Sequence, residues 1–337
     1  MPRVHLTPCR RIALQRKIQS GAHGTVYVGA PVDGSRHVAV KVARSDASHV
    51  RRLAKEAMML AQLPAHNHIV ATFPTRFPAT QDRRTGAVYL PMELYSTDLL
   101  EVVLSKSLSE ADVLRYGLQL TCALHHCHRS GVYHLDIKPE NVLVDTKSDS
   151  LKLADFGMAL HLSESESKRL IGQHGSPSYA APEVWDVHGG MQPATGVSAA
   201  AADVWSLGAV LFTLVFRRRC WSDVRRTDKD FAHYASTGKF LMYAGEQGKA
   251  SEPVLALLYS MLAINPAERP SLLQVAAALS TRLAAIVPAG QSTAKAQECS
   301  LHSVAPVVLP PPVPSSPSSP MSIGSVSPTS SDVSMVA

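Results

Sequence analysis

The chain has 337 residues, of which 45% are hydrophobic, and 33 Lys and Arg against 27 Asp and Glu give it a net charge of +6. This composition supports a large buried core, and the small positive excess excludes an acidic solvating protein without indicating a nucleic-acid partner. No apolar run reaches the roughly 18–20 residues of a membrane helix and residues 1–8 carry no apolar signal core. We therefore expect no nucleic-acid or membrane partner and a cytoplasmic location, with the nucleus not excluded.

The pattern of the first part of the chain predicts a small β-rich unit. Short runs of β-branched residues alternate with glycines and with the turn dipeptide Asp33-Gly34, which is typical of hairpins. Strands are predicted at residues 12–18, 25–28, 37–42 and 88–94. Apolar residues recur at helical spacing between residues 48 and 63, which predicts one helix inside this unit.

After residue 99 the pattern becomes mostly helical. The clearest helices are predicted at residues 111–128, 204–216 and 254–263. Three arginines, Arg217 to Arg219, follow the second of these helices. A solvated helix end is the favoured interpretation of this basic run, and docking of a substrate or partner stays open. Residues 188–202 are rich in Gly and Ala and predict a flexible surface insertion.

The last fifty residues differ in composition from the rest. Residues 287–337 are rich in Pro and Ser, and proline supplies no backbone donor for a helix or a ladder. This composition predicts a disordered tail. Three Ser-Pro pairs in it, at Ser316, Ser319 and Ser327, are expected to be accessible to proline-directed kinases.

Two features of the β-rich part suit phosphate binding. Gly21 and Gly24 lie in a turn between strands, where backbone amides can approach a phosphate closely, although a plain hairpin turn explains them equally well. Lys41 lies at the end of the next strand, and Glu56 lies in the following helix. A carboxylate partner can hold such a lysine toward a phosphate.

The strongest chemical signal lies further along the chain, in a proline-containing segment. Asp136 can accept a hydroxyl proton, Lys138 can neutralise a transferring phosphate, and Asn141 can bind a cation. Asp155, in Asp155-Phe156-Gly157, follows an apolar strand and adds a second carboxylate, as a Mg²⁺ site requires. Two ordinary Asx turns are the alternative, but the spacing, the order and the flanking strands disfavour it.

Together these motifs resemble the eukaryotic protein kinase signature over residues 11–283. Further matches are Ala181-Pro182-Glu183, residues 203–208 and Arg269. The pattern is most similar to serine/threonine kinases of the calcium/calmodulin-dependent and sucrose-nonfermenting-like branch. The resemblance implies an α+β, bilobal fold with a five-stranded N-lobe (about residues 11–92) and a helical C-lobe (about residues 95–283). ATP with Mg²⁺ would lie in the cleft between the lobes.

The resemblance also implies roles for individual residues. Asp136 and Lys138 would be catalytic, with Asp136 as the base, and Asn141 and Asp155 would hold Mg²⁺. The implied ATP-binding residues are Gln19, Gly21, Gly24, Val26, Ala39, Lys41, Glu56, Glu93, Leu94 and Leu143. Met92 would be the gatekeeper, Asp203 would brace the catalytic loop, and Glu183 would form a structural ion pair with Arg269.

Two positions depart from the family pattern. Gln19 replaces the first glycine of the phosphate loop, and Leu135 replaces the arginine before the catalytic aspartate, which in relatives pairs with a phosphorylated loop. Gln19 keeps open the alternative of a nucleotide-binding pseudokinase scaffold. The complete catalytic set favours an active enzyme. A small-molecule kinase is disfavoured because residues 175–183 resemble a peptide-docking loop, in which Ser176 would contact Asp136 and Lys138.

Protein serine and threonine hydroxyls are therefore the expected substrates. Asp98 and Glu140 are acidic at positions where related kinases meet a basic residue, which predicts a preference for Arg or Lys about three residues before the target. In the loop before Ala181, Ser163, Ser165 and Ser167 are interleaved with glutamates, so added phosphate there would meet like charge.

Overall fold

A computed structural model describes residues 5–6, 12–21, 24–43, 46–73, 80–81, 87–168, 173–185, 197–242, 246 and 248–287. The predicted tail from residue 288 onward lies outside these residues. So does the greater part of the predicted insertion, residues 188–196.

The N-terminal lobe is an antiparallel sheet with one helix against it. Its elements are β1 (His5–Leu6), β2 (Ile12–Gly21), β3 (Gly24–Pro31), β4 (Val38–Ala43), α1 (Ala47–Gln62), β5 (Thr80–Gln81) and β6 (Val88–Glu93). The strand order is β1-β2-β3-β4-β6-β5. The sheet therefore has six strands where the resemblance implied five, because His5 and Leu6 pair with the edge of β2 at Leu14 and Ala13.

Helix α1 is held by its cap and by its apolar face. The Asp46 carboxylate accepts hydrogen bonds from the backbone amides of Ser48 and His49, which satisfies donors that the first turn cannot pair internally. Leu53 and Ala57 are buried at helical spacing and pack toward β4 and β6. The same face carries Glu56, so burial of this face directs a carboxylate toward the central strand.

The C-terminal lobe is mainly helical. Its elements are β7 (Thr97–Asp98), α2 (Leu99–Ser105), α3 (Glu110–Arg129), β8 (Val132–Tyr133), β9 (Val142–Asp145), β10 (Ser150–Leu153), β11 (Leu160–His161), α4 (Pro182–Trp185), α5 (Ala199–Phe216), α6 (Lys229–Thr237), α7 (Glu252–Met261) and α8 (Leu272–Ile286). It also contains two small sheets, of order β10-β9-β7 and β11-β8. The α+β bilobal fold is confirmed.

Helix α5 is the central core element of this lobe. It is long and apolar enough to cross a membrane by length and composition, but 83% of it is buried inside the protein, as in a core helix. It begins earlier than predicted, because the Ser198 side chain caps it at the Ala201 amide. Residues 199–202 are therefore helical and at least partly buried, which corrects their assignment to a flexible insertion.

Candidate active site

A buried lysine lies at the floor of the cleft between the lobes. Lys41 is in β4, between Val26 of β3 and Leu90 of β6. Its Nζ lies 2.7 Å from Glu56 Oε2 and 3.0 Å from Asp155 Oδ1. Burial works to lower the pKa of Lys41, but the two carboxylates outweigh it and raise that pKa to about 12. The lysine is therefore a fixed cation, and its predicted pairing with Glu56 is confirmed.

The loop between β8 and β9 brings three polar side chains together, and the segment before α4 adds a fourth, Ser176. Asp136 Oδ2 accepts hydrogen bonds from Lys138 Nζ at 2.9 Å and from Asn141 Nδ2 at 3.1 Å. Asp136 Oδ1 accepts one from Ser176 Oγ at 2.8 Å, and Lys138 Nζ donates to the same Ser176 oxygen at 2.8 Å. The predicted contact of Ser176 with both residues is confirmed. An aliphatic hydroxyl is thus held between a carboxylate and an ammonium group.

Asn141 and Asp155 lie on adjoining segments. The Ala154 amide donates to the Asn141 carbonyl at 2.9 Å, which places Asp155 directly beside the catalytic loop. Asp155 has a left-handed backbone, with φ of 62°, and its Oδ1 faces Lys41. An amide oxygen and a carboxylate are hard donors that suit Mg²⁺, so the residues present fit the predicted cation.

The catalytic loop is anchored from below by Asp203 of α5. This fully buried carboxylate accepts hydrogen bonds from the amides of His134 at 2.9 Å and Leu135 at 2.8 Å. The His128 ring nitrogen lies 2.8 Å from the same group. The predicted bracing role of Asp203 therefore has direct contacts behind it.

The connection between the lobes is tied to its surroundings through Glu93. Its carboxylate accepts hydrogen bonds from the Ala71 amide and the Tyr95 hydroxyl, and Lys152 Nζ lies 3.4 Å away. The Glu93 amide in turn donates to the Ala71 carbonyl at 3.0 Å, so the assignment of this segment to adenine binding stays a prediction. Leu94, the next residue, is 37% exposed.

Four other residues assigned to the ATP site are apolar and lie in strands. Ala39 of β4 stands between Val28 and Met92, and both Ala39 and Met92 are buried. Leu143 of β9 pairs with Asp98 and, like Val26, packs against the main core. The apolar side chains that the resemblance assigns to ATP binding are thus carried by strands from both lobes.

The predicted phosphate loop is the turn between β2 and β3. Gln19 pairs with Val26 and Gly21 with Gly24, whereas residues 22 and 23 lie outside the described residues. Gly24 has φ of 116°, and a Cβ there would lie 2.7 Å from the Val42 carbonyl oxygen. Packing against β4 therefore requires glycine at this position, whatever the turn binds.

The predicted ion pair of Glu183 and Arg269 lies in the core of the C-lobe. Arg269 Nη1 and Nη2 donate to the two carboxylate oxygens at 2.6 and 2.8 Å, with side chains 0% and 1% exposed. Arg269 also lies over the Trp205 ring, 4.8 Å from its centroid. The pair holds α4 to the end of the lobe.

Sequence reasoning missed two contacts of this site. Arg52 of α1 packs over Gly157, where an added Cβ would lie 2.8 Å from its Cγ. Arg219 approaches Glu140, with Nη2 4.0 Å from Oε1. Neither is signalled by local spacing, although the Arg217–Arg219 run did stand out by its charge.

Comparison with known proteins agrees with this geometry. The family model described as "Protein kinase domain" matches residues 12–279. A CBL-interacting protein kinase 28 of Oryza sativa subsp. japonica is 31% identical over 212 residues, covering 61% of this chain and 45% of the relative. A CBL-interacting serine/threonine-protein kinase 7 of Arabidopsis thaliana is 30% identical over 270 residues, covering 77% and 57%.

The chain belongs to the protein kinase family. The names of its relatives confirm the predicted similarity to serine/threonine kinases. The chain spans about half the length of the curated relatives it matches, at 38% to 57% of each.

Proposed function

We propose that this chain transfers the γ-phosphate of ATP to serine and threonine hydroxyls of proteins. The observation that carries the proposal is Ser176 Oγ, held 2.8 Å from both Asp136 Oδ1 and Lys138 Nζ. The site thereby already accommodates an aliphatic hydroxyl between an acceptor for its proton and a cation. A substrate hydroxyl would take the place of Ser176 next to Asp136.

Each residue then has a defined task in the transfer. Bound ATP supplies the phosphoryl group, and Mg²⁺ supplies charge neutralisation at its phosphates. Asp136 orients the hydroxyl and takes its proton. Lys138 stabilises negative charge on the transferring group, and Lys41, fixed by Glu56, binds the remaining phosphates. Asn141 and Asp155 would hold the metal.

The intact set of side chains favours an active kinase over a pseudokinase scaffold. Gln19, the departure that kept the scaffold open, is exposed and lies within the β2–β3 ladder.

The proposal includes a preference for a basic residue before the target. Asp98 supports it weakly, because its carboxylate already accepts the Glu101 amide at 2.9 Å as the cap of α2. Glu140 supports it better, since one of its carboxylate oxygens is buried and lacks a hydrogen bond in the described part of the chain. We further propose a cytoplasmic location and phosphorylation of the tail by proline-directed kinases, both on the sequence alone.

A peptide array with purified protein, Mg²⁺ and labelled ATP tests activity and sequence preference together. Asp136→Asn should lower kcat about 10²- to 10⁴-fold with ATP affinity kept, because it removes the base. Asp155→Asn should also weaken Mg·ATP binding. Asp145→Asn, at the last residue of β9, serves as the control. Wild-type turnover by the Asp136 variant would show that the catalytic assignment is wrong.

A further inference from the structure

A cavity of about 460 Å³ lies between α2 and the segment that follows α5. Helix α2 contributes Leu100 and Leu104 to its wall, and the segment after α5 contributes Arg219 and Trp221. The volume is within the range of ligand sites in proteins, about 300–1,000 Å³. The cavity therefore has room for a few side chains of a bound peptide.

The cavity is joined to the segment that occupies the hydroxyl position of the active site. Tyr179, three residues after Ser176, lines the cavity, and its amide donates to the Ser176 carbonyl at 2.9 Å. The Ser178 hydroxyl donates at 2.8 Å to the carbonyl of Ser222, another residue of the wall. An extended peptide advances about 3.3 Å per residue. A peptide whose hydroxyl replaces that of Ser176 would therefore reach the cavity with residues a few positions from its target.

One side of the cavity is apolar. Leu104 is 60% exposed, whereas Val103 beside it in α2 is buried and also lines the cavity. Trp221 is buried, and its ring packs against that of Phe231 at 5.2 Å between centroids, so this part of the wall is fixed by the core. Covering exposed apolar surface is favourable. An apolar side chain of a ligand would gain by packing against Leu104.

The other side of the cavity carries hydrogen-bond donors and positive charge. The described residues of the wall include three arginines, Arg217 to Arg219, and one carboxylate, Asp230. The buried indole nitrogen of Trp221 makes no hydrogen bond within the described residues, and an indole N–H can only donate. The wall therefore suits a ligand that brings acceptors and negative charge.

Two of the three arginines are already engaged by other groups. Arg218 donates to both carboxylate oxygens of Glu246, and Asp230 also helps to raise the pKa of Arg218. Arg217 donates to two backbone carbonyls at the end of α2. Both side chains are therefore parts of the wall and are held in place by the protein itself.

Arg219 is the least engaged of the three. Its side chain is 53% exposed, and its Nη2 lies 4.0 Å from Glu140 Oε1, beyond hydrogen-bond distance. Burial, and after it Glu140, raises the pKa of Tyr179 to about 12, and Arg219 works against this rise, which places the guanidinium beside the phenol. A guanidinium carries five N–H donors, so contact with the phenol leaves donors for a carboxylate of a ligand.

We propose that this cavity docks a segment of the protein substrate in which an acidic side chain lies next to a bulky apolar one. Arg219 binds the carboxylate, and the apolar side chain packs against Leu104. The inference rests on the proposed kinase function. It is separate from the basic residue expected before the target, because that residue would meet Glu140, which is not among the residues that line the cavity.

The test uses the full chain and fluorescent serine peptides in which a Glu-Leu pair is moved one position at a time along each side of the target. Matched peptides carry Gln-Leu or Glu-Ala at the same place. Peptide Kd is measured by anisotropy, and kcat and KM by phosphate transfer. At the best position the Glu-Leu pair should lower Kd and KM together with kcat unchanged, because the cavity contains none of the reacting groups.

Two substitutions separate the two halves of the site. Arg219→Gln should reduce the preference for Glu over Gln roughly fivefold, the upper range for a partly exposed ion pair, and leave the preference for Leu over Ala unchanged. Leu104→Ala should do the reverse, also by roughly fivefold. The controls are Arg225→Gln and Val32→Ala, an exposed arginine and an exposed apolar residue outside the cavity wall. They should change neither preference.

The outcomes distinguish the docking site from the kinase function. Preferences that stay unchanged in both variants, with phosphorylation intact, would overturn the docking site and leave the kinase function standing. Preferences seen in Kd but not in KM would assign the cavity to a partner other than the substrate and overturn the proposal. Peptides that bind with the expected preferences but are never phosphorylated would instead overturn the kinase function while supporting the docking site.

Discussion

The contacts of Asp203 with the catalytic loop predict how much stability the protein loses when this carboxylate is removed. Replacing it with alanine removes the acceptor of two buried backbone amides, those of His134 and Leu135. Each stranded buried donor costs about 1–3 kcal/mol, so Asp203→Ala should lose about 2–6 kcal/mol of the free energy of unfolding. This is a large part of the total for a domain, about 5–15 kcal/mol.

Urea unfolding followed by tryptophan fluorescence measures this loss. The matched control is Asp228→Ala, because Asp228 also accepts three backbone hydrogen bonds, from Ser222, Asp230 and Phe231. Asp228 is only half-buried at the cap of α6, where water can replace it, so its loss should cost about 1 kcal/mol. Equal destabilisation by the two substitutions would refute the argument from buried amides.

Three other predictions follow from individual contacts. Glu183→Gln strands the buried Arg269 charge and should destabilise the protein by about 3–5 kcal/mol in the same urea assay; a loss below about 1 kcal/mol would contradict this. Burial first, then the neighbouring histidines, lowers the pKa of His66 from 6.5 to about 4. Stability present above pH 6.5 should therefore fall as the pH drops toward 4, and less steeply in His66→Gln; parallel curves would refute it. Because Leu135 offers no phosphate-binding group, phosphatase-treated enzyme with an unmodified loop should keep nearly its full peptide-phosphorylation rate. A loss above about tenfold would contradict this.

The sequence predicted well where chemistry depends on local order. Asp136, Lys138 and Asn141 lie within one short segment, and a proline-containing loop fixes their spacing before any tertiary contact is known. Lys41 and Glu56 are further apart, but a strand followed by an amphipathic helix has few ways to pack. Their pairing was therefore predicted from the order of strand and helix together with the resemblance to the kinase signature.

Contacts between segments far apart in the sequence could not be predicted from local order. Arg219 and Glu140 come from segments far apart in the sequence, and the charge of the arginine run could not show which of its members approaches Glu140. Asp98 has a competing local role, and its contact with substrate stays a prediction. An aspartate immediately before a helix is a strong N-cap, and that role competes with the substrate contact that the resemblance assigned to it.

Leu135 shows how burial can take over the task of a charge. It has a left-handed backbone, with φ of 60°, which is strained for a residue with a bulky side chain. Such a conformation persists only where the surroundings impose it. Here Asp203 binds its amide, its side chain is 4% exposed within the core, and Gly175 packs so closely that a Cβ would lie 2.6 Å from the Leu135 carbonyl oxygen. The backbone next to Asp136 is therefore fixed from three sides by contacts that contain no phosphate. An arginine at this position would need a loop phosphate to balance its charge, whereas leucine gains its stabilisation from the core itself.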